Sequence, residues 1–337
     1  MIYLIDPRKK QYKANLHCHS VLSDGKKTPQ ELKKMYKEKG YSILSITDHE
    51  TPKNHSDLND DGFITVTGYE AYIRTDPECR YDVYEKEIHL NLFARRPENE
   101  TIICYNPKYC KYITDEQKAK YKKAGSQETR EYSVEYINKF IAAANENGYI
   151  AAYNHPCWSM EDEADILAYE GFFSLEMCNY SVYVNGLEYN GALYDKILRK
   201  GKRVFCHSAD DNHNLYPLTS PDCDSFGGFT MIMPEEFTYD SIFGAMETGN
   251  MYSSMGPLFK EVSMEGNRIH IECSEVKRIM VFTGAKTSKI RIAPEGETVT
   301  SADFEIDDLA KYVRVSIADE YMRFADTRGF FRDELEF

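Results

Sequence analysis

Short apolar runs alternate with helical patterns along most of this chain, from residue 12 to about residue 256. Thr28, Pro29 and Glu31 form a capping box with proline at the first helical position, which predicts a helix that ends near Gly40. Apolar residues at helical spacing predict further helices at 134–147, 187–200 and 239–247. The runs between them predict strands at 42–47, 63–68, 88–93, 149–153, 172–177, 203–206 and 228–232. This alternation indicates an α/β fold with a parallel sheet, either open or closed into a barrel.

The pattern changes after Gly256 and Pro257. Alternating apolar and polar residues then predict short strands at 269–273, 279–282, 289–292, 304–306 and 312–317. We therefore expect two domains. Residues 1–256 form the α/β domain, and residues 257–337 form a small all-β module that resembles a sandwich.

The charge and the cysteines exclude several classes of protein. The 337 residues include 41 Lys+Arg and 55 Asp+Glu, a net charge of −14, which argues against non-specific binding of nucleic acid. No stretch of about 18 apolar residues is present, so no membrane span is expected. The nine cysteines form no CxxC pair, which argues against a zinc ribbon. Their odd number, without an apolar signal segment, predicts reduced thiols and a cytoplasmic location.

Most of the nine histidines stand beside carboxylates near the ends of predicted strands. In an extended His17-Cys18-His19, both imidazoles share one face and can reach one metal ion, while Cys18 points away. Further motifs follow in the order Ser23-Asp24-Gly25, Thr47-Asp48-His49, Glu70, His89, Asn154-His155-Pro156 and Asp211-Asn212-His213. Side chains at the carboxyl ends of barrel strands converge on one mouth. Nitrogen and oxygen ligands without a thiolate suit zinc, manganese or ferrous iron.

This series of motifs resembles the PHP family, named for its polymerase and histidinol phosphatase domains, over about residues 12–256. The resemblance implies a distorted (β/α)7 TIM-like barrel with two or three divalent metal ions at its mouth. It implies that one ion is held by His17, His19, Glu70 and Asp211, a second by Glu70, His89 and His155, and a third by Asp24, His49 and His213. Asp24 stands where some members have histidine. Asp210 is an alternative to Asp211, which we favour because it forms Asp-x-His with His213.

The resemblance further implies a metal-dependent phosphoesterase, in which a hydroxide that bridges the metal ions attacks a small anionic substrate, most simply a phosphomonoester. Three alternatives stay open. The first is a nuclease or nucleotide phosphodiesterase acting on nucleotides or short oligonucleotides, and the second is a carboxyl-ester or amide hydrolase that uses the same metal site. The third is a non-catalytic metal-binding scaffold. No oligomeric state is predicted.

Three more residues are candidates for catalytic roles. Asp48 is expected to orient His49 or to cap the following turn. His207, at the end of a predicted strand, is either a proton donor to the leaving group or a buried histidine. Arg130 is the candidate phosphate clamp, because a guanidinium fits oxyanions.

Residues 95–123 depart from the overall charge, with eight basic and four acidic residues. We expect this basic segment to overhang the mouth and attract an anionic substrate, although a solvated basic face is the alternative. Trp158, Glu176 and Asn179 either line the pocket or have ordinary packing and hydrogen-bonding roles. His55 and His270 are expected to be structural.

Overall fold

The computed structural model describes residues 1–74, 82–186 and 189–335, and it shows a mixed α/β fold. The helices are α1 (Pro29–Glu38), α2 (Asp115–Lys120), α3 (Val134–Glu146), α4 (Glu163–Ala168), α5 (Tyr180–Val184), α6 (Gly191–Arg199) and α7 (Tyr239–Thr248), with 3-10 turns at Ser56–Leu58, Asp82–Tyr84 and Arg332–Glu334. Cys79 and part of the helix predicted at 187–200 lie outside the described residues. No helix among those residues is long and apolar enough to cross a bilayer.

The strands are short and numerous. The first twelve are β1 (Ile2–Ile5), β2 (Tyr12–Asn15), β3 (Ile43–Leu44), β4 (Ile64–Thr65), β5 (Gly68–Arg74), β6 (Glu87–Ala94), β7 (Ile102–Ile103), β8 (Lys123–Ala124), β9 (Tyr149–Tyr153), β10 (Ser174–Asn179), β11 (Phe205–Ala209) and β12 (Phe229–Ile232). The others are β13 (Met251–Ser254), β14 (Phe259–Glu265), β15 (Arg268–Val276), β16 (Arg278–Phe282), β17 (Lys289–Ile292), β18 (Val299–Glu305), β19 (Tyr312–Ala318), β20 (Phe324–Thr327) and β21 (Phe330–Phe331).

The capping box predicted at α1 is confirmed. The Thr28 hydroxyl accepts the N–H of Glu31 at 3.2 Å, and the N–H of Thr28 donates to the Glu31 carboxylate at 2.8 Å. These contacts satisfy the N–H groups of Thr28 and Glu31, which have no partner within the helix. Pro29 occupies the first turn, where its missing N–H costs no hydrogen bond. The helix buries Leu32 and Tyr36, which are four residues apart and so share one face.

Two sheets surround the predicted ligands. One has the strand order β11-β10-β9-β6-β5, and the other has the order β17-β16-β19-β20-β13-β12-β2-β3-β4, with β21 paired to β19. The expectation of a parallel sheet holds for β2-β3-β4 and for β9-β10-β11. It is wrong for β6, which is antiparallel to β5 and β9, and for β12, which is antiparallel to β2 and β13. Every residue of β5 and β6 is buried, so their apolar patterns carry no information about strand direction.

The two sheets are separate ladders among the described residues and form no closed barrel there. They approach each other on two sides. His49 and Glu70 form an isolated parallel bridge next to the start of β5. On the other side, the N–H of Ser208 in β11 donates to the hydroxyl of Thr230 in β12 at 3.1 Å.

The sheets continue across the predicted boundary at residues 256 and 257. Strand β13, which precedes it, pairs with β20. Strand β1, at the start of the chain, pairs with β14 in a sheet of order β1-β14-β15-β18. One apolar core joins Ile5 and Tyr252 to Val262, Ile271 and Val315 of the β module. The sequence pattern did not reveal that β1 packs with the module.

Candidate metal centre

The predicted ligands converge at one end of the two sheets. His17 and His19 follow β2, and His49 follows β3. Asp24 lies in the loop between β2 and α1, Glu70 lies in β5 and His89 in β6. His155 follows β9, and Asp211 and His213 follow β11. His89 is near the beginning of its strand, and it still reaches the cluster because β6 runs antiparallel to its neighbours. We call the set His17, His19, Asp24, His49, Glu70, His89, His155, Asp211 and His213 the histidine–carboxylate cluster.

A first group of potential ligands comprises His17, His19, Glu70 and Asp211, whose ligand atoms all lie within 4.8 Å of one another. The Asp211 Oδ1 atom is 3.1 Å from His17 Nε2 and 2.9 Å from His19 Nε2. The two Nε2 atoms themselves are 3.4 Å apart. All four residues are buried, and Asp211 Oδ1 has no hydrogen-bond partner of good geometry. Unpaired, converging nitrogen and carboxylate atoms fit a cation.

A second group comprises His49, Glu70 and His89. Glu70 lies between the two rings, with Oε2 at 3.0 Å from His49 Nδ1 and Oε1 at 2.9 Å from His89 Nδ1. The His155 Nε2 atom is 3.3 Å from Glu70 Oε1, outside the tight group although close to it. The third member of this group is therefore His49, whereas the resemblance implied His155 as the ligand beside Glu70 and His89.

A third group comprises His19, Asp24, His49 and His213. Asp24 is at its centre, 3.5 Å from His213 Nε2, 3.6 Å from His49 Nε2 and 3.7 Å from His19 Nδ1. This group contains the three residues implied for a third ion, together with His19. It is the most open of the three groups, because about a third of the Asp24 side chain is exposed.

Carboxylates behind the histidines set the orientation of the rings. Glu176 Oε1 is 3.2 Å from His17 Nδ1, and Glu87 Oε1 is 2.9 Å from His89 Nε2. For Glu176, the predicted alternative of a hydrogen-bonding role agrees with this contact. Glu87 belongs to none of the motifs that predicted the site. The signal for Glu87 was present, because in a strand Glu87 and His89 point to the same face.

Polar side chains also hold the ligating carboxylates in place. The Asn154 amide donates to Glu70 Oε1 at 2.9 Å, and the Asn179 amide donates to Asp211 Oδ2 at 3.0 Å. Asp48 accepts the N–H and the hydroxyl of Ser20 at 2.7 and 2.6 Å and the hydroxyl of Ser23 at 2.7 Å. Asp48 therefore fixes the loop that carries Asp24 rather than the ring of His49.

The electrostatics of the cluster follow from burial and close carboxylates. Burial alone would lower the pKa of His17, but Asp211, Glu70 and Glu176 raise this pKa to about 10. At His49, burial dominates and lowers the pKa to about 3. Burial would raise the pKa of Glu70, yet the surrounding histidines bring it well below its usual value. Ionised carboxylates in a buried site provide the negative charge that a divalent cation needs.

Asp210 and Asp211 turn in different directions. Asp211 adopts a φ of 53° and points into the first group. Asp210 instead accepts the backbone N–H groups of Phe226 at 2.7 Å and Gly228 at 2.9 Å and the hydroxyl of Tyr36 at 2.7 Å. Burial raises the pKa of Asp210 to about 7. The structure thus places Asp211, and not Asp210, among the potential ligands.

Arg130 does not form the predicted phosphate clamp. Its side chain is fully buried and forms an ion pair with Glu50, with Nη2 at 2.8 Å from Oε2. It also donates to the backbone carbonyls of Tyr72 at 2.7 Å and Cys104 at 3.3 Å. A guanidinium whose donors are taken up inside the protein is not available to a substrate.

His207 is also not placed to protonate a leaving group. It is fully buried behind Glu176, with Nε2 at 4.0 Å from Glu176 Oε1, and Nδ1 lies 2.9 Å from the Ser174 hydroxyl. Burial lowers the pKa of His207 to about 4, so its ring is neutral near pH 7. The alternative prediction of a buried histidine agrees with this placement.

The basic segment of residues 95–123 reaches the cluster through a tyrosine. Lys118 and Lys120 form ion pairs within α2, 3.2 Å from Asp115 and 2.7 Å from Glu116. Lys120 and Lys122 line a separate cavity of about 860 Å³, together with Lys53, Arg95 and Arg96. Tyr112 lies over the cluster, with its hydroxyl 3.4 Å from Asp24 Oδ2.

The remaining histidines stay outside the cluster. His55 is buried at the start of a 3-10 turn, and His270 in β15 lies 3.0 Å from the Asp303 carboxylate. Neither belongs to a group of potential metal ligands among the residues that the structure describes.

Comparison with known proteins relates these residues to a family. Residues 15–172 match the PHP domain family, and this match includes seven of the cluster residues, from His17 to His155. A search of curated proteins finds no match. Asp211 and His213 lie beyond the matched segment.

Two solved structures are similar to the chain. The first is a two-domain protein of Bacteroides vulgatus ATCC 8482, described as containing a predicted PHP-like metal-dependent phosphoesterase. Its sequence is 14% identical, the match covers 97% of this chain and 88% of that chain, and the TM-score is 0.45. The second is a protein of Bifidobacterium adolescentis ATCC 15703, described as a candidate metal-dependent phosphoesterase. Its sequence is 15% identical, the match covers 71% of this chain and 96% of that chain, and the TM-score is 0.39. From the family match and the seven cluster residues within it, we conclude that the chain carries a PHP domain at residues 15–172.

Proposed function

We propose that this protein is a metal-dependent phosphoesterase that hydrolyses a small phosphorylated substrate, most simply a phosphomonoester. The observation that carries the proposal is the way the three ligand groups overlap. The first and second groups share Glu70, the first and third share His19, and the second and third share His49. Ions bound to such groups are adjacent, as in multinuclear phosphoesterase sites.

The donor set fits divalent ions of the zinc, manganese or iron type, two or three in number. All its ligand atoms are imidazole nitrogens and carboxylate oxygens, and His49 Nδ1 and Asp211 Oδ1 are buried without hydrogen-bond partners. When bound, such ions activate a water molecule and neutralise the phosphate oxygens. They also supply the local positive charge that a protein with a net charge of −14 needs to attract a phosphate.

The protein's own contribution is to fix the ligands and to restrict the approach of the substrate. Glu176 and Glu87 hold the rings of His17 and His89, and Asp48 holds the loop of Asp24. The substrate enters from the side of Asp24 and His213, whose side chains are partly exposed, because the other members are buried more deeply. We further propose that the two sheets, which approach at His49 and at Thr230, together form the distorted (β/α)7 barrel of the family.

Metal stoichiometry is the direct test. Protein purified without added metal or chelator is analysed for transition metals beside the variant His17→Ala/His19→Ala, with His270→Ala as a control outside the cluster. We expect two to three ions per chain in the parent and the control, and clearly fewer in the double variant. Near-zero metal in all three, persisting after zinc, manganese or iron is supplied, would overturn the proposal.

A substrate panel then separates the reaction classes. The metal-loaded protein is assayed with p-nitrophenyl phosphate, bis-p-nitrophenyl phosphate and p-nitrophenyl acetate, with and without chelator. We expect chelator-sensitive hydrolysis of the monoester. Preference for the diester would instead support a phosphodiesterase, and preference for the acetate a carboxyl-ester hydrolase. No hydrolysis of any of the three esters would favour a scaffold.

A further inference from the structure

Exposed aromatic side chains stand at the opening of the histidine–carboxylate cluster. Trp158 is 44% exposed and Tyr112 is 43% exposed. Large aromatic residues usually bury most of their surface, so two exposed rings beside a buried polar site require an explanation. Trp158 is the single tryptophan of the chain.

Both rings contact cluster histidines directly. The Tyr112 ring is nearly parallel to His49, with an interplanar angle of 19° and centroids 6.2 Å apart. The Trp158 ring lies edge-on to His89 and His155, with centroids at 5.1 and 4.9 Å. Because the His49 and His89 centroids are only 5.7 Å apart, Tyr112 and Trp158 flank the same pair of rings.

The segments that follow His19 and His213 in the sequence also expose apolar side chains. Val21 follows His19 by two residues, and Leu215, Tyr216 and Leu218 follow His213 within five residues. All four are about half exposed. The opening is therefore polar at its base, where the metal ligands lie, and aromatic at its rim, where Tyr112 and Trp158 stand.

We propose that Tyr112 and Trp158 bind an aromatic group of the substrate, so that the protein acts on phosphate esters that carry an aromatic or heteroaromatic ring. This inference rests on the proposed phosphoesterase function. A charged phosphate placed at the cluster leaves its organic group at the rim, where the two rings are. Aromatic rings bind through faces and edges and gain affinity beyond the burial of area alone. A small polar group, such as glycerol, would leave both rings in water.

The rim is better suited to a substrate group than to a protein partner. Tyr112 is tied to the cluster itself through the contact of its hydroxyl with Asp24, and Trp158 through its contacts with two histidines. A macromolecule bound on these rings would cover the side from which Asp24 and His213 are reached. Such a complex would block the site, whereas a substrate ring there would orient the phosphate towards the ligands.

The single tryptophan allows a binding test that does not depend on turnover. Three non-hydrolysable phosphonates are titrated into the metal-loaded protein while the fluorescence of Trp158 is followed. They are benzylphosphonate, cyclohexylmethylphosphonate of similar size and shape, and methylphosphonate. We expect benzylphosphonate to bind about threefold tighter than the cyclohexyl compound and about tenfold tighter than methylphosphonate. Equal affinities for all three would overturn the inference.

Variants then assign the effect to the two rings. Trp158→Leu and Tyr112→Leu keep apolar side chains but remove the aromatic rings, and their binding is followed by calorimetry. We expect each variant to lose most of the preference for benzylphosphonate over the cyclohexyl compound, measured as the ratio of the two affinities, which a general weakening of phosphonate binding would not change. Tyr112→Phe keeps the ring and should keep the preference. Tyr321→Leu, in the exposed turn after β19, is the matched control and should behave as the parent.

Kinetics distinguish failure of this inference from failure of the proposed function. Benzyl phosphate and cyclohexylmethyl phosphate have alcohol leaving groups of similar basicity, so a difference in kcat/KM between them reports on recognition. Hydrolysis of both without preference would overturn the aromatic site and leave the phosphoesterase proposal intact. Tight binding of benzylphosphonate without hydrolysis of any phosphate ester would retain the aromatic site and overturn the catalytic proposal.

Discussion

Glu176 Oε1 and His17 Nδ1 lie 3.2 Å apart in the fully buried floor of the histidine–carboxylate cluster. The other oxygen of Glu176 accepts the backbone N–H of His155 and the amide of Asn179, both at 3.0 Å. Burial would raise the pKa of Glu176, but His17 above all lowers it below the usual value. One buried carboxylate therefore connects three residues around the cluster and keeps its negative charge.

The substitution Glu176→Gln is expected to weaken metal binding about 10- to 100-fold, because it removes the charge that orients His17 while keeping the shape of the side chain. Metal affinity is measured by competition with a chelator, and activity is measured against metal concentration. Activity should return at high metal concentration, since Glu176 positions a ligand and is not one itself.

The matched control for this prediction is Glu163→Gln. Glu163 lies at the start of α4 and contacts Lys196 at 3.9 Å, away from the cluster. The affinity of the Glu163→Gln variant for metal should equal that of the parent. An unchanged affinity in Glu176→Gln as well would show that the contact with His17 has no role in metal binding.

His207 gives the protein a defined dependence of stability on pH. Burial lowers its folded-state pKa to about 4, whereas an unfolded histidine titrates near 6.5. Between these values the unfolded state takes up a proton that the folded state does not. The contribution of His207 is thus complete above about pH 6.5 and is lost as the pH falls towards about 4.

In His207→Gln, the fall in the free energy of unfolding between pH 7 and pH 5 should be smaller than in the parent by about 2 kcal/mol. Urea denaturation at the two pH values, at a fixed metal concentration, measures the difference. The basic limb of the pH–rate profile should stay in place, because the buried ring does not reach the leaving group. An identical pH dependence of stability in variant and parent would contradict the burial of a neutral His207.

The buried pair of Arg130 and Glu50 is expected to stabilise the fold rather than the substrate. Arg130→Met leaves the Glu50 carboxylate charged and unpaired inside the protein, and we expect a loss of about 3–5 kcal/mol in the free energy of unfolding. Arg130→Met/Glu50→Leu should recover much of this loss. Lys139→Met, which breaks the exposed pair with Glu135, is the control and should change stability little.

The same variants test the earlier interpretation of Arg130 as a phosphate clamp. If the double variant folds and its Michaelis constant for a phosphate ester equals that of the parent, Arg130 has no contact with substrate. A Michaelis constant raised tenfold or more in a stable double variant would support the clamp instead.

Elements whose signals are local can be predicted from the sequence, whereas contacts between distant residues cannot. Strand β9 was predicted at its observed bounds, and α1 was predicted from its capping box, because both signals lie within the element itself. The ligand motifs were equally local. Arg130 was misinterpreted because its partner Glu50 is 80 residues away, and no local pattern shows that such a pair is buried.

The same reason explains the topology. The apolar runs located β5 and β6 only approximately, and, because both strands are buried along their whole length, the pattern could not show their antiparallel direction. The exposed position of Trp158 could not be predicted either. The residues around a tryptophan that follows a strand do not show whether its side chain packs inside the protein or lines an opening.

The β module is expected to be required for folding of the α/β part. A chain of residues 1–256 would leave β13 without its partner β20 and β1 without β14. It would also lose Arg314, which lies 2.5 Å from both Asp195 and Asp326 and joins α6 to the module. Unpaired edge strands and an uncovered apolar core favour aggregation over a compact state.

We expect the chain of residues 1–256 to lack a cooperative thermal transition and to bind a dye for exposed apolar surface, as measured by circular dichroism and fluorescence. Arg314→Met in the full-length chain separates the contribution of the ion pairs, because it keeps every strand and leaves two buried carboxylates unpaired. It should unfold cooperatively, with a free energy of unfolding about 3–5 kcal/mol below that of the parent. A monomeric, cooperatively folded chain of residues 1–256 would show that the sheets crossing residue 256 are dispensable and that the boundary in the sequence pattern is a true domain boundary.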